Sequence, residues 1–203
     1  MQQPSPLNNL SDEDLMLMAQ QADRDAFSIL YERYSFSILM YLRRMLGSRE
    51  DTESIGQEVF VRALRFAPTY RHPNRFSTWL FTIARNEAIN NSRRRTRTPV
   101  RSITELNLDG IDFGDRHGAA KRTLDEMEKR EEIARAIKAM EGLSTDQRDV
   151  IALGVFQNLT YPQMEEILGD KAVTLRSRMF HGLKRLSYVM SEDYVAAASV
   201  RND

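Results

Sequence analysis

The chain has 203 residues, carries 29 Lys and Arg against 29 Asp and Glu for a formal net charge of zero, and contains no cysteine. That length accommodates one large domain or two small helical ones, and the missing thiols exclude disulfides and thiolate metal sites. With no net field, any attraction to a polyanion has to come from local patches.

The N-terminal stretch MQQPSPLNN is polar and lacks a basic region and an apolar core, so no signal peptide is expected. No apolar run approaches bilayer-spanning length, and a soluble, cytoplasmic protein with no membrane insertion of its own is expected. Periodicity of 3.6 residues recurs along the chain while strand signals are nearly absent, which predicts an all-α fold. Ser11 opens a first helix, with Asp12, Glu13 and Asp14 placed against its N-terminal dipole and Leu15, Leu17 and Met18 as apolar residues. A second helix is predicted from Asp25 to Leu46, packing through Phe27, Leu30, Tyr34, Ile38, Tyr41, Leu42 and Met45, with Gly47 as C-cap. A third spans Arg49 to Ala67 with Ile55, Val59, Phe60 and Leu64 inward, and Pro68 stops it.

After the Pro73-Asn74 loop comes a fourth helix, capped by Ser77, that runs into Arg93-Arg94-Arg95. Helical spacing sets Trp79, Thr82, Asn86, Asn90 and Arg93 along one edge, with Leu80, Ile83, Ala84 and Ala88 on the adjoining side. From Thr96 the pattern fades into a Gly-, Asp- and Ser-rich stretch read as a flexible linker over residues 97–125. Periodicity returns near Lys121 and continues through Met127, Ile133, Ile137 and Met140. Two capping boxes follow, Ser144-Thr-Asp-Gln147 and Thr160-Tyr-Pro-Gln163. The first begins a helix through Val150, Ile151, Leu153 and Phe156, the second a short helix closed by Gly169. A last helix from Val173 to Met190 buries Leu175, Met179, Leu183 and Leu186, and the short helix, tight turn and basic helix make a helix-turn-helix. The expected organisation is therefore two small helical domains, residues 8–96 and 126–190, a linker between them and a tail over 191–203.

Charge is segregated on this frame. Between Arg85 and Arg101 six arginines face one acid, Glu87, and between Lys171 and Arg185 five cations face none. On the last helix, Thr174, Arg176, Ser177, Arg178, His181, Lys184 and Arg185 lie outside or on the flanks of the apolar face. A recognition helix requires this, with N-terminal residues reaching base edges and longer cations gripping phosphate. An ordinary solvated basic helix has the same composition, but the preceding turn and the acid-free face favour DNA binding. Arginines at a helix C-terminus also complement the dipole for about 0.3–1 kcal/mol each, so the Arg93–Arg95 run alone decides nothing. The strip leading into it does, because Asn86 and Asn90 have no packing reason to align with Trp79. Aromatic, amide and cation together suit DNA whose bases have left the stack.

Catalysis finds little support. The three histidines, His72, His117 and His181, show no metal-ligand spacing, and Asp109, Asp112 and Asp115 lack the twelfth-position Glu of a calcium loop, Ala120 standing there. No metal, no cofactor and no enzymatic activity are expected.

In their order these parts resemble the extracytoplasmic-function sigma factors of the bacterial sigma-70 family. QEVFVRALRFAPTY (Gln57–Tyr70) is similar to the family's polymerase-binding helix, RFSTWLFTIARNEAINNSRRR (Arg75–Arg95) to its promoter-melting, −10-reading segment, and Leu143–Leu186 to its −35-reading domain. The resemblance covers nearly everything from Leu10 to Met190. It implies binding to core RNA polymerase through Glu53, Gln57, Glu58, Phe60 and Val61. It further implies capture of opened −10 DNA by Arg71, Asn74, Arg75, Phe76, Trp79, Thr82, Asn86, Asn90, Arg93 and Arg94, and −35 reading by Thr174 to Arg185. It also implies a free monomer held by an anti-sigma factor, and a linker whose acids (Glu105, Asp109, Asp112, Asp115) thread toward the polymerase channel. The chain departs from the family where Ser54 replaces an acid, where Ile55-Gly56 replaces Leu-Val, and where Ala172-Val173 precedes Thr174. Gly56 within a helix costs about 1 kcal/mol against Ala. The rival readings are a conventional helix-turn-helix regulator, which needs no Trp-bearing melting helix, and a sigma-like decoy, which needs no DNA-reading arginines.

Overall fold

The computed structural model describes residues 6–97, 135 and 137–200, and no strand occurs among them. After a 3-10 turn at Pro6–Asn9 come α1 (Asp12–Gln20), α2 (Arg24–Leu46) and α3 (Arg49–Phe66), then a 3-10 turn (Ala67–Thr69) and α4 (Phe76–Arg97). The second unit holds a helical stretch over residues 137–141, α5 (Thr145–Ile151), a π turn (Ala152–Phe156), α6 (Tyr161–Leu168) and α7 (Ala172–Val200). Arg97, the first residue of the expected linker, still belongs to α4; the rest of the linker, its acids and the start of the following periodic segment lie outside the described residues.

Local chemistry explains most boundaries. The side chains of Ser11, Asp23 and Ser48 accept backbone N–H groups at the starts of α1, α2 and α3. Gly47 and Gly169 close α2 and α6 in the left-handed region, at φ 71° and 75°. Both capping boxes form, at Ser144 with Gln147 and at Thr160 with Gln163. The start of α4 differs from expectation. The helix begins at Phe76, before Ser77, and the Phe76 N–H donates to Glu13 Oε1 at 3.1 Å. A carboxylate from α1 thus does the work assigned to a local Ser, and its charge suits a helix N-terminus.

The first unit packs around Leu15, Met16, Leu30, Ile38, Leu42, Val59, Phe76 and Leu80, all at zero exposure. Gly56 has a packing reason: a Cβ there would lie 2.7 Å from Leu39 Cδ2, so its absence lets α3 sit close on α2. Two expected core residues are not core. Leu64 on α3 is 51% exposed, its inward place taken by Ala63, and Leu183 on α7 is 40% exposed, where buried Gly182 lies against Ile151 and Gln147 of α5.

The two units do not stand apart. Their buried residues form one continuous apolar cluster, running from Leu15 to Leu175. Across the join, Tyr41 donates to Asp149 Oδ1 (2.8 Å) and Arg85 Nε to Asp149 Oδ2 (3.0 Å). Arg44 stacks 3.7 Å over the Phe156 ring, and Gln157 donates to Ser37 O. Arg148 gathers carbonyls from both sides, those of Met45, Met140, Glu141 and Leu143.

Candidate nucleic-acid interface

The loop before α4 is pinned from below. Gln20 Nε2 donates to Ala67 O (2.8 Å) and Tyr70 O (3.0 Å), and the Tyr70 hydroxyl donates to Asn74 O. Burial, reinforced by the charges of Glu13 and Asp12, pushes the Tyr70 phenol up to about 12, so it stays a donor at any physiological pH. Arg71 folds back onto Pro68 O (2.7 Å) and Tyr70 O. Asn74 and Arg75 are exposed. Phe76 is not available to a ligand: it is fully buried and packs edge-on against Tyr34 and Tyr70, which corrects its assignment to the DNA face. Its place is beneath Trp79, whose ring centroid is 6.0 Å away and which is half-buried.

Along α4 the expected edge is present. Asn86, Asn90, Arg93 and Arg94 are exposed, and Thr82 is partly covered with its hydroxyl donating to Thr78 O. Arg95 turns back to Asp51 of α3 at 2.5 Å. Residues 73–75 share a cleft of about 360 Å³ with Thr160, Pro162, Gln163 and Glu166 of α6, so the loop and the second unit face each other.

On α3, Glu53 and Gln57 are exposed, Glu58 is partly covered, and Val61 is 50% exposed. Glu53 is paired to Arg49 and Glu58 to Arg62, both at 2.8 Å. Phe60 is 6% exposed and packs on Tyr31 at 4.7 Å between centroids, so it supports the face without forming it. Tyr31 and Phe66 are exposed apolar groups that periodicity did not single out, and Leu64, which the amphipathic pattern assigned inward, is exposed beside them.

On α7, Thr174, Arg176, Ser177, His181, Lys184 and Arg185 are exposed. Arg176 lies 5.0 Å over the Tyr161 ring, which holds its head near α6. Arg178 is engaged, pairing with Asp170 and with Asp146 at 3.0 Å, whereas among the described residues no such pair holds Arg176. Phe180 at 63% exposure, beside His181, is an apolar neighbour that the charge pattern gave no reason to name. At the start of α7, Ala172 N–H donates to the Glu165 carboxylate, so the Ala172-Val173 pair retains a capped entry.

Two helical units, each carrying its own cationic face and one a helix-turn-helix, are the build of a DNA-binding transcription protein. The sigma-70 region 2 family matches residues 30–98. The chain is 30% identical over 172 residues to the ECF RNA polymerase sigma-E factor of Haemophilus influenzae, covering 84% of this chain and 90% of that one. It is 28% identical over 178 residues to the RNA polymerase sigma-H factor of Pseudomonas aeruginosa, covering 86% and 91%. The fold is shared with CnrH, solved with the cytosolic domain of CnrY, at a TM-score of 0.67, 21% identity and coverage of 90% of this chain and 98% of that one. It is also shared with the sigma factor RpoE of Bartonella quintana, solved with the anti-sigma factor NepR, at a TM-score of 0.66, 22% identity and coverage of 81% and 96%. The chain belongs to the extracytoplasmic-function RNA polymerase sigma factors, the class that directs transcription initiation.

Proposed function

We propose that this sigma factor grips opened −10 DNA with Trp79, Asn86 and Asn90, flanked by Asn74 and Arg75, and anchors its phosphates with Arg93 and Arg94. The observation that carries this reading is the exposed line Asn86, Asn90, Arg93 leading from a half-buried Trp79. Amides supply paired donors and acceptors for base edges, an aromatic face supplies stacking, and arginines supply charge for the backbone. The −35 element is read by Thr174, Arg176, Ser177, His181, Lys184 and Arg185. Core polymerase docks on α3 through Glu53, Gln57, Glu58 and Val61, with Leu64 adding apolar area. The protein has no catalytic activity of its own and works in the cytoplasm. Among the described residues no helix is long and apolar enough to cross a membrane. An anti-sigma factor is its expected inhibitor, since the sigma factor of Bartonella quintana that shares its fold was solved with one.

In vitro transcription with purified core polymerase on genomic fragments tests the reading. Promoter-specific initiation that depends on Trp79 and Asn86 supports it. Duplex binding without initiation sinks it in favour of a conventional regulator.

A further inference from the structure

The two arginines in the first turns of α7 are held in different ways. Arg178 is held by its edge: its terminal nitrogens pair with Asp170 and, at 3.0 Å, with Asp146. Arg176 is held by its face. Its guanidinium carbon lies 5.0 Å from the centroid of the Tyr161 ring, within cation–π reach, and among the described residues no carboxylate takes its N–H groups. The difference matters for reading DNA. A guanidinium carries five N–H donors around its rim and none on its face. Pairing with carboxylates spends the rim. Stacking on a ring occupies the face and leaves the rim open for the two parallel bonds that an arginine makes to guanine O6 and N7.

Both partners of the stacked pair stand on fixed ground. Tyr161 is the first residue of α6, set within the Thr160–Gln163 capping box and followed by Pro162, whose ring locks its own φ. The Thr160 N–H donates to Gln163 Oε1 at 2.9 Å. The Tyr161 ring is partly covered and packs against the apolar core, so it offers a face without being loose. The entry of α7 is tied back to α6, because the Ala172 N–H donates to the Glu165 carboxylate. Leu175, next to Arg176, is fully buried and fixes which way that turn of α7 faces.

We infer that Tyr161 is a positioning residue for −35 recognition: its ring holds the Arg176 guanidinium flat and leaves the rim free for a base edge. An unheld arginine gives up rotamer freedom when it docks, and a stacked one has given it up already. Tyr161 therefore touches no base and acts through Arg176. The proposal rests on the reading of α7 as the −35 helix and gives α6 a part in its specificity.

The test uses holoenzyme reconstituted from core polymerase and the full chain, on a promoter library randomised through the −35 element. Tyr161→Leu keeps an apolar side chain on the core and removes the π face. It should lower the preference at the base pair read by Arg176 by about threefold, the effect of one exposed cation–π contact, and leave the other positions unchanged. Tyr161→Phe keeps the face and should retain the wild-type preference. On an Arg176→Ala background Tyr161→Leu should change nothing further, since a residue that acts through Arg176 has nothing left to act on. In the free protein, the Arg176 side-chain proton resonances should move downfield in Tyr161→Leu, as the ring current is lost, and stay in place in Tyr161→Phe. A loss spread evenly over all −35 sequences, a further loss on the Arg176→Ala background, or a Tyr161→Phe variant as relaxed as Tyr161→Leu overturns the proposal. Arg176→Ala separates the two levels. If it relaxes the preference and Tyr161→Leu does not, only the Tyr161 assignment fails. If neither does, the −35 reading of Arg176 fails as well.

Discussion

Arg85 and Asp149 meet at 3.0 Å although 64 positions separate them, and they join α4 of the first unit to α5 of the second. Asp149 is almost wholly buried, and Tyr41 holds its other oxygen. The helix that carries the proposed DNA edge therefore also carries the cation that fastens the second unit. Asp149→Ala leaves the buried Tyr41 hydroxyl without an acceptor, which costs about 1–3 kcal/mol. The expected outcome is a lower urea midpoint and a longer inter-unit distance by energy transfer between labels on α2 and α7. Unaltered values for both would mean that the contact does not hold the units together.

The same carboxylate gives a pH signature. Burial raises its pKa above the ordinary 3.8, with Arg85 and the Tyr41 hydroxyl opposing the rise. The folded state then holds the proton more tightly than the unfolded chain. This group's contribution is most favourable below 3.8 and is lost as pH rises through the higher folded value. Relative to Asp149→Asn, which does not titrate, wild type should lose stability as pH climbs from about 4 toward neutrality and then level off. Parallel denaturation curves at each pH measure the difference; a wild-type stability that rises with pH relative to Asp149→Asn contradicts the sign.

Trp79→Ala should weaken open-complex formation more than closed-complex binding, because stacking on an aromatic ring acts only on bases that have left the duplex, at about 1–3 kcal/mol per base. Permanganate footprinting beside filter binding separates the two steps. Equal losses in both assays count against a role in melting.

Arg176 and Arg178 should part company. Arg176→Ala removes a candidate base contact and should lower −35 discrimination by about 1–3 kcal/mol. Arg178→Ala breaks pairs with Asp146 and Asp170, so it should lower thermal stability and leave base preference in place. Selection from a randomised −35 library, with melting curves for each variant, gives both numbers. A relaxed base preference in Arg178→Ala would restore that residue to the reading set.

Gly182→Ala probes the seat of α7 on α5. A Cβ there would lie 2.8 Å from Ile151 Cδ1 and 3.3 Å from Gln147 Cβ, and the latter is a stem atom that cannot rotate away. Overpacking of about 1–3 kcal/mol outweighs the gain of about 1 kcal/mol in helix propensity. A melting temperature several degrees lower is expected, and a rise would show that α7 shifts freely.

Much of this was legible in the residues because local chemistry decides it. Ser11, Gly47, Gly169 and both capping boxes act within three or four positions of themselves, and they fall where the sequence puts them. The edge from Trp79 to Arg93 follows from helical spacing alone. What failed to show were facts that depend on a distant segment. Ser77 was the reasonable local cap for α4, but Glu13 supplies the cap from another helix. Phe76 stands beside polar neighbours as a surface aromatic would, and only the packing of Tyr34 and Tyr70 places it inside. Leu64 and Leu183 fit the apolar period yet face outward, displaced by Ala63 and Gly182. Gly56 reads as a defect until Leu39 is seen to occupy the space its side chain would fill.

The Glu13 contact with Phe76 spans 63 positions. It meets the first turn of α4, while the buried face of Phe76, Leu80, Phe81, Ala84 and Ala88 sets the heading of the residues from Trp79 to Arg93. A graft of α4 into another scaffold would carry its side chains but leave behind the carboxylate at position 13 that meets its first turn and the core its buried face fits.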